Sequence, residues 1–486
     1  MKHNEADILI VAAGPAGLAA AVSAAAAGAK VKVFEKMKTT GGTANMAMGP
    51  FGVESRVQKK QIEPLTKKKV FDIFMDYSHW HTDSRLVKAY VDKSGDTINW
   101  LEDLGVEWYG AVRHFPDSEA TWHLPKLSNG SFGHGSGAVI MKALKDKADE
   151  LGVEFFLETP VKKLLTENGT VVGLQAVTAD GKEIEERGKA VIIATGGFGS
   201  NPQMVFEETG YKLFETLYSF MVPGIDGDGI KMAREVGAAK DNVNMEMCIA
   251  FTKVMEYETI DAVCRQPNLL VNLDGNRFFN EYQLCNTTYA GNAITRQRGS
   301  AAYVIFDEST KRYYEKNGYD FRALDVTPAN MDNFDAEVER YTKEINGNDF
   351  IVADSIEELA EKTGIDFENL CDTVDEYNQH CDSYDKLYHK DPKYMRPIRK
   401  GKIYAGKIIP IAFGSLGGIK INAYCEAINA NADIIPGLYA AGSDANSLHR
   451  DSYAFVLPGN SMGFAINSGR IAGESAADYV EYLKEQ

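Results

Sequence analysis

The clearest hydrophobic pattern lies at the start of the chain. An apolar run at residues 8–11 leads into the small-residue turn Ala12-Ala-Gly-Pro-Ala-Gly17 and an alanine-rich segment. A second apolar run, Val31-Lys-Val-Phe, ends at Glu35. This order predicts a strand, a glycine turn, a helix and a second strand that ends in an acid. Proline suits the first helical turn, where its missing N–H is not needed.

Periodicity predicts further elements along the chain. The predicted helices are 85–105, 137–151, 230–236, 334–345 and 355–380, and the predicted strands are 153–157, 161–165, 171–177, 183–186, 269–272 and 302–306. The strands between 161 and 186 indicate a meander with turns at Asn168-Gly169 and Asp180-Gly181. The meander leads to Ala190-Val-Ile-Ile-Ala-Thr-Gly-Gly197, a buried strand that stops in glycines, as is typical beside a ligand.

The composition changes near residue 244 and again near residue 400. The middle stretch is richer in tyrosine and charge, whereas the chain after it returns to small and glycine-rich residues. We therefore expect an α/β protein whose first domain has two parts, 1–243 and 402–486. An inserted α+β domain would occupy 244–401.

Size and charge narrow the function classes. The chain has 486 residues, of which 44% are hydrophobic, so it can bury a large core. A formal net charge of −17 argues against a nucleic-acid surface and against attraction to anionic lipid. The six cysteines form no CxxC or iron–sulfur spacing, and we expect no metal. With no secretory or membrane-spanning segment in the sequence, we expect a cytoplasmic protein.

The glycine turn predicts a dinucleotide site. Glycines let the backbone approach a pyrophosphate at a helix N-terminus, and Glu35 can hold a ribose hydroxyl. Ala12 stands where the first glycine is expected, which is tolerable only if Ala12 keeps a negative φ. The simpler interpretation is a turn before an alanine-rich helix, but the order of elements argues against it. No second unit ends in an acid, so we expect one nucleotide site.

Several segments in a fixed order resemble the flavoprotein subunit family of fumarate reductase and succinate dehydrogenase. The likeness covers nearly the whole chain and is carried by Val31-Lys-Val-Phe-Glu-Lys36, Gly41-Gly42, Ala194-Thr-Gly-Gly197, Gly227-Asp-Gly-Ile-Lys-Met-Ala233, Gly275-Asn-Arg-Phe-Phe-Asn-Glu281, Gly437-Leu-Tyr-Ala-Ala-Gly442 and Gly469-Arg-Ile-Ala-Gly473. The resemblance implies a Rossmann-like FAD-binding domain, made of a parallel sheet and a β-meander, with a capping domain over the flavin.

The resemblance also implies the cofactor contacts. The residues it assigns to FAD are Ala13, Gly14, Ala16 and Gly17 at the pyrophosphate, Glu35 and Lys36 near the adenosine ribose, Gly42, Thr43, Ala44, Met48 and Gly49 towards the flavin, Val161 at the adenine, and Ala194, Thr195, Gly196, Asp228, Ser415, Ser443, Asp444, Asn460, Ser461 and Met462 around the rest. Spacing alone leaves Asp228 either to meet a hydroxyl or to cap a helix. No histidine lies between residues 43 and 49, where membrane-bound relatives attach FAD, so we expect non-covalent FAD.

The departures from the family concern the substrate. The positions that match the histidine and arginines of the dicarboxylate reductases are Cys248, Cys264, Cys285, Gly414 and Val456. Phe413, Tyr453 and Phe455 stand near them. Phe413 and Phe455 could be either core residues or substrate contacts. An apolar pocket with a few polar groups suits an uncharged, ring-bearing molecule better than a small diacid.

The expected reaction is hydride transfer between flavin N5 and a substrate carbon, with a protein group handling the proton. The candidates are Tyr453, Arg265, Asp261 and His449, in falling order. Asp261 is equally compatible with a salt bridge, and Arg265 reaches the family's arginine position only if the alignment shifts by one residue.

The favoured substrate is an isoflavonoid. The general likeness is to reductases such as the one that converts tetrahydrodaidzein to equol. The alternatives are an unsaturated carboxylate, a steroid enone, and a flavin protein that only transfers electrons. The donor would be NAD(P)H or a small redox protein.

Overall fold

The computed structural model describes residues 6–252, 256–322, 328, 330–344 and 349–486. Within these ranges the strands are β1 (Ile8–Val11), β2 (Val31–Phe34), β3 (Trp108–Val112), β4 (Trp122–Pro125), β5 (Glu154–Phe156), β6 (Val161–Glu167), β7 (Thr170–Val177), β8 (Glu183–Arg187), β9 (Ala190–Ile193), β10 (Tyr218–Ser219), β11 (Asn244–Phe251), β12 (Leu269–Asn272), β13 (Ala302–Asp307), β14 (Phe350–Ala353), β15 (Ile403–Gly418), β16 (Glu426–Ile428), β17 (Ile434–Ala440) and β18 (Ala445–Asn446). The α-helices are α1 (Pro15–Ala26), α2 (Arg56–Lys60), α3 (Lys67–Tyr77), α4 (Ser84–Asp103), α5 (Gly137–Glu150), α6 (Pro202–Thr209), α7 (Asp228–Glu235), α8 (Glu258–Cys264), α9 (Thr287–Thr295), α10 (Glu308–Asn317), α11 (Phe334–Glu344), α12 (Ile356–Thr363), α13 (Phe367–Cys381) and α14 (Asn460–Glu485).

The first sheet has the order β16-β17-β9-β1-β2-β5 and is parallel except for β16. Every residue of β1, β2 and β9 is buried, as expected for a parallel sheet that is covered on both faces. β6, β7 and β8 form a separate antiparallel meander with turns at the predicted positions. The predicted α/β class with a Rossmann-like sheet and a meander is confirmed.

Helices α1 and α14 cross almost backbone to backbone. A Cβ added to Gly469 would lie 2.2 Å from the Ala16 carbonyl oxygen, and one added to Gly473 would lie 2.4 Å from that of Ala20. Glycine and alanine are therefore required on the facing sides, which explains the small residues in the two segments. The crossing brings the N-terminal part of α14 to the sheet edge where α1 begins.

The second sheet is organised by the long strand β15. The first half of β15 lies between β13 and β14, and its second half pairs with β11 and β10 before it meets β18. β15 therefore connects β13, in the middle stretch, to β10 and β18, which lie outside it. The division of the chain at residues 243 and 401 stays a prediction.

Most predicted elements are confirmed within a few residues, and β12 matches its predicted bounds. The single helix predicted at 355–380 is wrong. α12 ends at Thr363, because Gly364 has a φ of 73° and cannot continue a right-handed helix, and α13 begins after Asp366. Sequence patterning does not predict β15. The last residue of the helix predicted at 334–345, residue 345, lies outside the described residues.

In the described ranges, no helix combines the length and apolar character needed to cross a lipid bilayer. The described His, Cys, Asp and Glu side chains form no group of three or more that could hold a metal ion.

Candidate active site

The turn after β1 differs from expectation at Ala12. Its φ is 82°, so the expected negative φ is wrong. The chain must reverse sharply here, and the Ala12 N–H still donates to the Phe34 carbonyl at 2.7 Å. A left-handed conformation costs a residue with a Cβ roughly 1–2 kcal/mol. A Cβ on Gly17 would lie 2.0 Å from the Ala12 carbonyl oxygen, so Gly17 is required by close packing.

The N-terminus of α1 forms an open cradle. The position of a Cβ on Gly14 has no atom within 4 Å, and α1 has neither a side-chain cap nor an acidic residue in its first turn. Its first N–H groups can therefore receive a phosphate. Ala13 and Ala16 lie in this turn, and Gly42 approaches Gly14, since a Cβ on Gly42 would be 3.4 Å from the Gly14 Cα.

Glu35 lies at the end of β2, as predicted, and is buried. Its carboxylate accepts hydrogen bonds from the N–H of Ala13 at 2.7 Å and of Met37 at 2.8 Å. The Ala13 N–H is thus committed to Glu35. The remaining lone pairs of the Glu35 carboxylate suit ribose hydroxyls. Lys36, the next residue, forms an ion pair with Asp228 at 2.7 Å.

Asp444 shapes the second glycine turn. Its buried carboxylate accepts hydrogen bonds from the N–H groups of Thr195, Gly196 and Gly197 and from the Thr195 hydroxyl. Burial raises the pKa of Asp444, whereas these hydrogen bonds act in the opposite direction. A Cβ on Gly197 would lie 2.2 Å from the Ser415 Oγ, so the turn packs tightly against β15. Asp444 therefore holds the turn through backbone contacts.

The other residues assigned to FAD border the same region. Thr43 and Ala44 lie in the 3₁₀ turn Gly42–Asn45, Met48 packs with Trp122 and Leu124, Gly49 packs against the His123 carbonyl, Val161 begins β6, Ala194 follows β9, Ser443 lies in the 3₁₀ turn Gly442–Asp444, and Asn460, Ser461 and Met462 form the first turn of α14. Asp228 is in the first turn of α7, whose N-cap is Gly227. The Asp228 carboxylate forms an ion pair with Lys36, which is neither of the two expected roles, a contact with a hydroxyl group or a helix cap.

Three polar side chains, those of Glu246, Ser461 and Tyr453, meet at the N-terminus of α14. We call them the acid cluster. The Ser461 hydroxyl is hydrogen-bonded to the Glu246 carboxyl group and lies 3.2 Å from the Tyr453 hydroxyl. The Ser461 N–H donates to the Tyr453 oxygen at 3.3 Å. Burial raises the pKa of Glu246 to about 7, although its hydrogen bonds lower it. Burial, followed by the Glu246 charge, raises the pKa of Tyr453 far above its ordinary range.

Sequence reasoning identified Tyr453 and Ser461 but missed Glu246. A signal was available, because Glu246 is a lone charge in the strand Asn-Met-Glu-Met-Cys-Ile-Ala-Phe, which is buried after its first residue. A charged residue on a buried strand is uncommon unless it is paired or functional. Gly414 lies across from it on β15, and a Cβ there would be 3.9 Å from the Glu246 Oε2.

An aromatic cluster adjoins the acid cluster. It comprises Phe115, Cys285 and Phe321, with Phe455, Val456, Tyr282 and Tyr394 packed against them. The ring of Phe455 lies 5.7 Å from that of Tyr453, which joins the two clusters. Burial raises the pKa of Cys285 to about 12, so its thiol is uncharged at neutral pH. The cluster therefore places buried apolar side chains and an uncharged thiol beside Tyr453.

Phe413 lies beside Gly414 and is 46% exposed. It stacks on Phe220 with ring centroids 5.1 Å apart. Of the two interpretations of Phe413, a core residue is wrong.

The four candidate catalytic residues fall into two pairs. His449 lies 4.6 Å from the Tyr453 ring, and burial lowers its pKa to about 3, so it is neutral. Its Nδ1 accepts the Ala454 N–H at 3.2 Å, and among the described residues its Nε2 has no hydrogen-bond partner. Asp261 and Arg265 instead form a buried ion pair in and after α8, with 2.6 Å between Arg265 Nε and Asp261 Oδ2. The salt-bridge interpretation of Asp261 is confirmed.

The buried arginines are all matched by carboxylates. In the described part of the chain these are Arg265, Arg277 and Arg470, and each has a carboxylate oxygen within 3.0 Å. No buried arginine in this part is therefore left to bind a substrate carboxylate.

Comparison with known proteins identifies the family. The family described as FAD binding domain matches residues 7–461. Vinyl phenol reductase of Lactiplantibacillus plantarum is 34% identical, over 98% of this chain and 97% of that protein. Fumarate reductase (cytochrome) of Shewanella frigidimarina is 30% identical, over 98% and 78%. The crystal structure of a 3-ketosteroid-delta4-(5alpha)-dehydrogenase from Rhodococcus jostii superposes with a TM-score of 0.75 at 25% identity, over 97% of both chains.

The chain belongs to the FAD-binding flavoprotein family of the fumarate reductases and succinate dehydrogenases. It is a FAD-dependent oxidoreductase, and the open, uncapped cradle at Gly14 fits the pyrophosphate of this cofactor.

Proposed function

We propose that this member of the FAD-binding flavoprotein family reduces a carbon–carbon double bond conjugated to a phenolic ring, in an uncharged substrate such as a vinylphenol or an isoflavonoid. The aromatic cluster beside Tyr453 carries this proposal, because its side chains are apolar and aromatic and carry no charge, which suits an uncharged, ring-bearing substrate. The relative named vinyl phenol reductase, which aligns over nearly its full length, supports the same class.

Charge balance disfavours a dicarboxylate. A carboxylate loses its hydration on entering a buried site, and the penalty is several kcal/mol unless a cation compensates it. Each described buried arginine already faces a carboxylate of the protein. Taking one of them for a substrate would leave its present partner uncompensated. An uncharged phenol needs only a hydrogen bond, which a hydroxyl group can provide.

Tyr453 is the proposed proton donor. FAD, when bound and reduced, supplies the hydride to one carbon of the double bond. Tyr453 gives the proton to the other carbon, so the double bond becomes a single bond and no charge remains on the product. The Ser461 N–H, in the first turn of α14, donates to the Tyr453 oxygen and stabilises the developing phenolate. His449 is neutral and packs against the Tyr453 ring, which restricts its orientation.

The electron donor and the location are also proposals. The described fold contains no second Rossmann-like sheet, so we propose that NAD(P)H or a small redox protein brings electrons directly to the flavin, in the cytoplasm.

An anaerobic reoxidation experiment tests the function. The purified, FAD-loaded protein is reduced with dithionite and mixed separately with 4-vinylphenol, an isoflavone that retains its ring double bond, fumarate and 4-androstene-3,17-dione. We expect a phenolic compound to restore the oxidised flavin spectrum fastest. Reoxidation by fumarate alone would reject the proposal, and reoxidation by the steroid alone would move the substrate class to enones.

Tyr453→Phe tests the proton donor. Loss of a positioned acid should slow reoxidation by roughly 10²- to 10⁴-fold. The matched control is Tyr424→Phe, since the Tyr424 side chain is 65% exposed and remote from the acid cluster. Equal rates in both variants would exclude Tyr453 as the donor.

A further inference from the structure

Glu246 is a buried acid, and none of the described cations forms an ion pair with it. It is 7% exposed, and the groups that influence it are its burial and the hydroxyls of Ser461 and Tyr453. A carboxylate in such a place is unfavourable, so the neutral acid is favoured. Burial raises the pKa of Glu246 to about 7, so Glu246 is mainly protonated below neutral pH. A structural role alone does not explain an acid here, because Gln or Met would fill the same space without this penalty.

The hydroxyl groups connect Glu246 to Tyr453 in one line. Ser461 Oγ is hydrogen-bonded to Glu246 Oε1 and lies 3.2 Å from the Tyr453 hydroxyl. A hydroxyl can accept one proton while it donates another, so Ser461 can pass a proton without becoming charged. The Tyr453 oxygen also accepts the Ser461 N–H, which leaves its phenolate form stabilised until a proton arrives.

We infer that Glu246 is the proton source for Tyr453, and that Ser461 relays the proton between them. This inference rests on the proposed function, which assigns Tyr453 the transfer to substrate. As Tyr453 gives its proton to carbon, it takes one from the Ser461 hydroxyl, and Ser461 takes one from the Glu246 carboxyl group. The net result of these three transfers is that Glu246 loses one proton and the substrate gains one. Glu246 is left as a carboxylate and recovers a proton from solvent before the next cycle.

The direction follows from the relative acidities. A carboxyl group with a pKa of about 7 gives its proton readily to a phenolate whose conjugate acid is far weaker. The reverse transfer is unfavourable by the same difference. A proton on Glu246 also removes the charge that otherwise makes Tyr453 a poorer acid.

Few other titratable groups act on this line. Tyr90, on α4, and Tyr453 influence each other, and His449 contacts the Tyr453 ring but is uncharged above about pH 3. Strand β15 presents Gly414 on the side of Glu246, and glycine has no side chain that titrates. The Glu246→Gln variant therefore decides whether a break in activity near pH 7 belongs to Glu246.

The first test follows the rate of flavin reoxidation by 4-vinylphenol against pH. In the wild-type protein we expect a constant rate below about pH 7 and a fall of about tenfold per pH unit above it, as Glu246 loses its proton. Glu246→Gln should react roughly 10²-fold more slowly at pH 6, without a break near pH 7. Glu426→Gln, on β16 at the edge of the first sheet, is the matched control and should keep the wild-type profile. A slow Glu246→Gln variant that keeps the break would overturn the inference, as would an unchanged rate.

The second test needs no substrate, so it separates this inference from the proposed function. Infrared difference spectra of the FAD-loaded protein, titrated between pH 5 and 9, should contain a protonated-carboxyl band that disappears near pH 7. The band should be absent from Glu246→Gln and shifted in Ser461→Ala and in Tyr453→Phe. If no alkene reoxidises the flavin, the proposed function fails, and the infrared titration alone decides whether Glu246 holds the proton. Absence of the band from the wild-type protein overturns the inference. Flavin absorbance of each variant reports whether it is folded and loaded.

Discussion

Replacing Arg265 separates a structural role from a catalytic one. Arg265 Nε lies 2.6 Å from the fully buried Asp261, and their attraction is about 6 kcal/mol at an effective dielectric constant of about 20. Asp261 also accepts the Phe251 N–H at 2.8 Å, so the pair fastens the end of β11 to α8. Arg265→Met leaves a buried carboxylate without its cation, which should lower the free energy of unfolding by about 3–5 kcal/mol.

The matched control is Arg298→Met. Arg298 Nε lies 2.7 Å from Asp274, but the two side chains are 63% and 46% exposed. Exposed pairs contribute less than about 1 kcal/mol, so this variant should be near wild type. Urea denaturation of both FAD-loaded variants, with unchanged m-values, measures the difference. Adding Asp261→Asn to Arg265→Met should recover about 1–3 kcal/mol, because it removes the uncompensated charge.

The same variants report on catalysis. If Arg265 acts only through the ion pair, flavin reoxidation per FAD-loaded molecule changes less than about tenfold in Arg265→Met. A loss of 10² or more, as for a general acid, would return Arg265 to the reaction. Equal stability of Arg265→Met and Arg298→Met would refute the reasoning from burial.

Three further predictions concern the cofactor and pH. Gly14→Ala should fold normally but bind FAD at least tenfold more weakly in a fluorescence titration, because its Cβ enters the open cradle. Gly17→Ala should instead unfold at a lower urea concentration, because its Cβ would lie 2.0 Å from the Ala12 carbonyl oxygen. Equal FAD affinity in Gly14→Ala and the wild-type protein would argue against the cradle. Precipitation with trichloroacetic acid should release the flavin into the supernatant, and yellow pellets would contradict non-covalent binding. Burial lowers the pKa of His123 to about 4 from 6.5, so the unfolded chain takes up a proton first as the pH falls, and stability is lost between about pH 6.5 and 4. From pH 7 to pH 5 this loss is about 2 kcal/mol, and His123→Gln should reduce the pH dependence of the urea midpoint; an unchanged dependence would count against it.

The first domain is largely predictable because its signals are local. The apolar runs of β1, β2 and β9 specify buried parallel strands, and the glycine turns specify where those strands end. The resemblance adds FAD. The break between α12 and α13 is also encoded locally, because Gly364 ends α12 and Asp366 is the N-cap of α13. Apolar periodicity alone nevertheless predicts one helix there.

β15 is less predictable because its partners change along its length. Pairing with β13 and β14 at one end and β11 at the other imposes different environments on one strand, and its glycines fit close packing against neighbours that are distant in sequence. The requirement for a small residue at Gly406, for example, comes from the Cys264 sulfur, which lies 2.1 Å from where a Cβ would be.

The sequence by itself determined the fold class and the FAD cofactor, because both depend on residue type and short-range order. Only the tertiary structure decided the left-handed backbone of Ala12, the pairing of Asp261 with Arg265, and the meeting of Glu246 with Ser461 and Tyr453. Glu246 and Ser461 are 215 residues apart, and no local pattern encodes their contact. Burial and partners set the charge of an acid, and both arise from packing between distant segments.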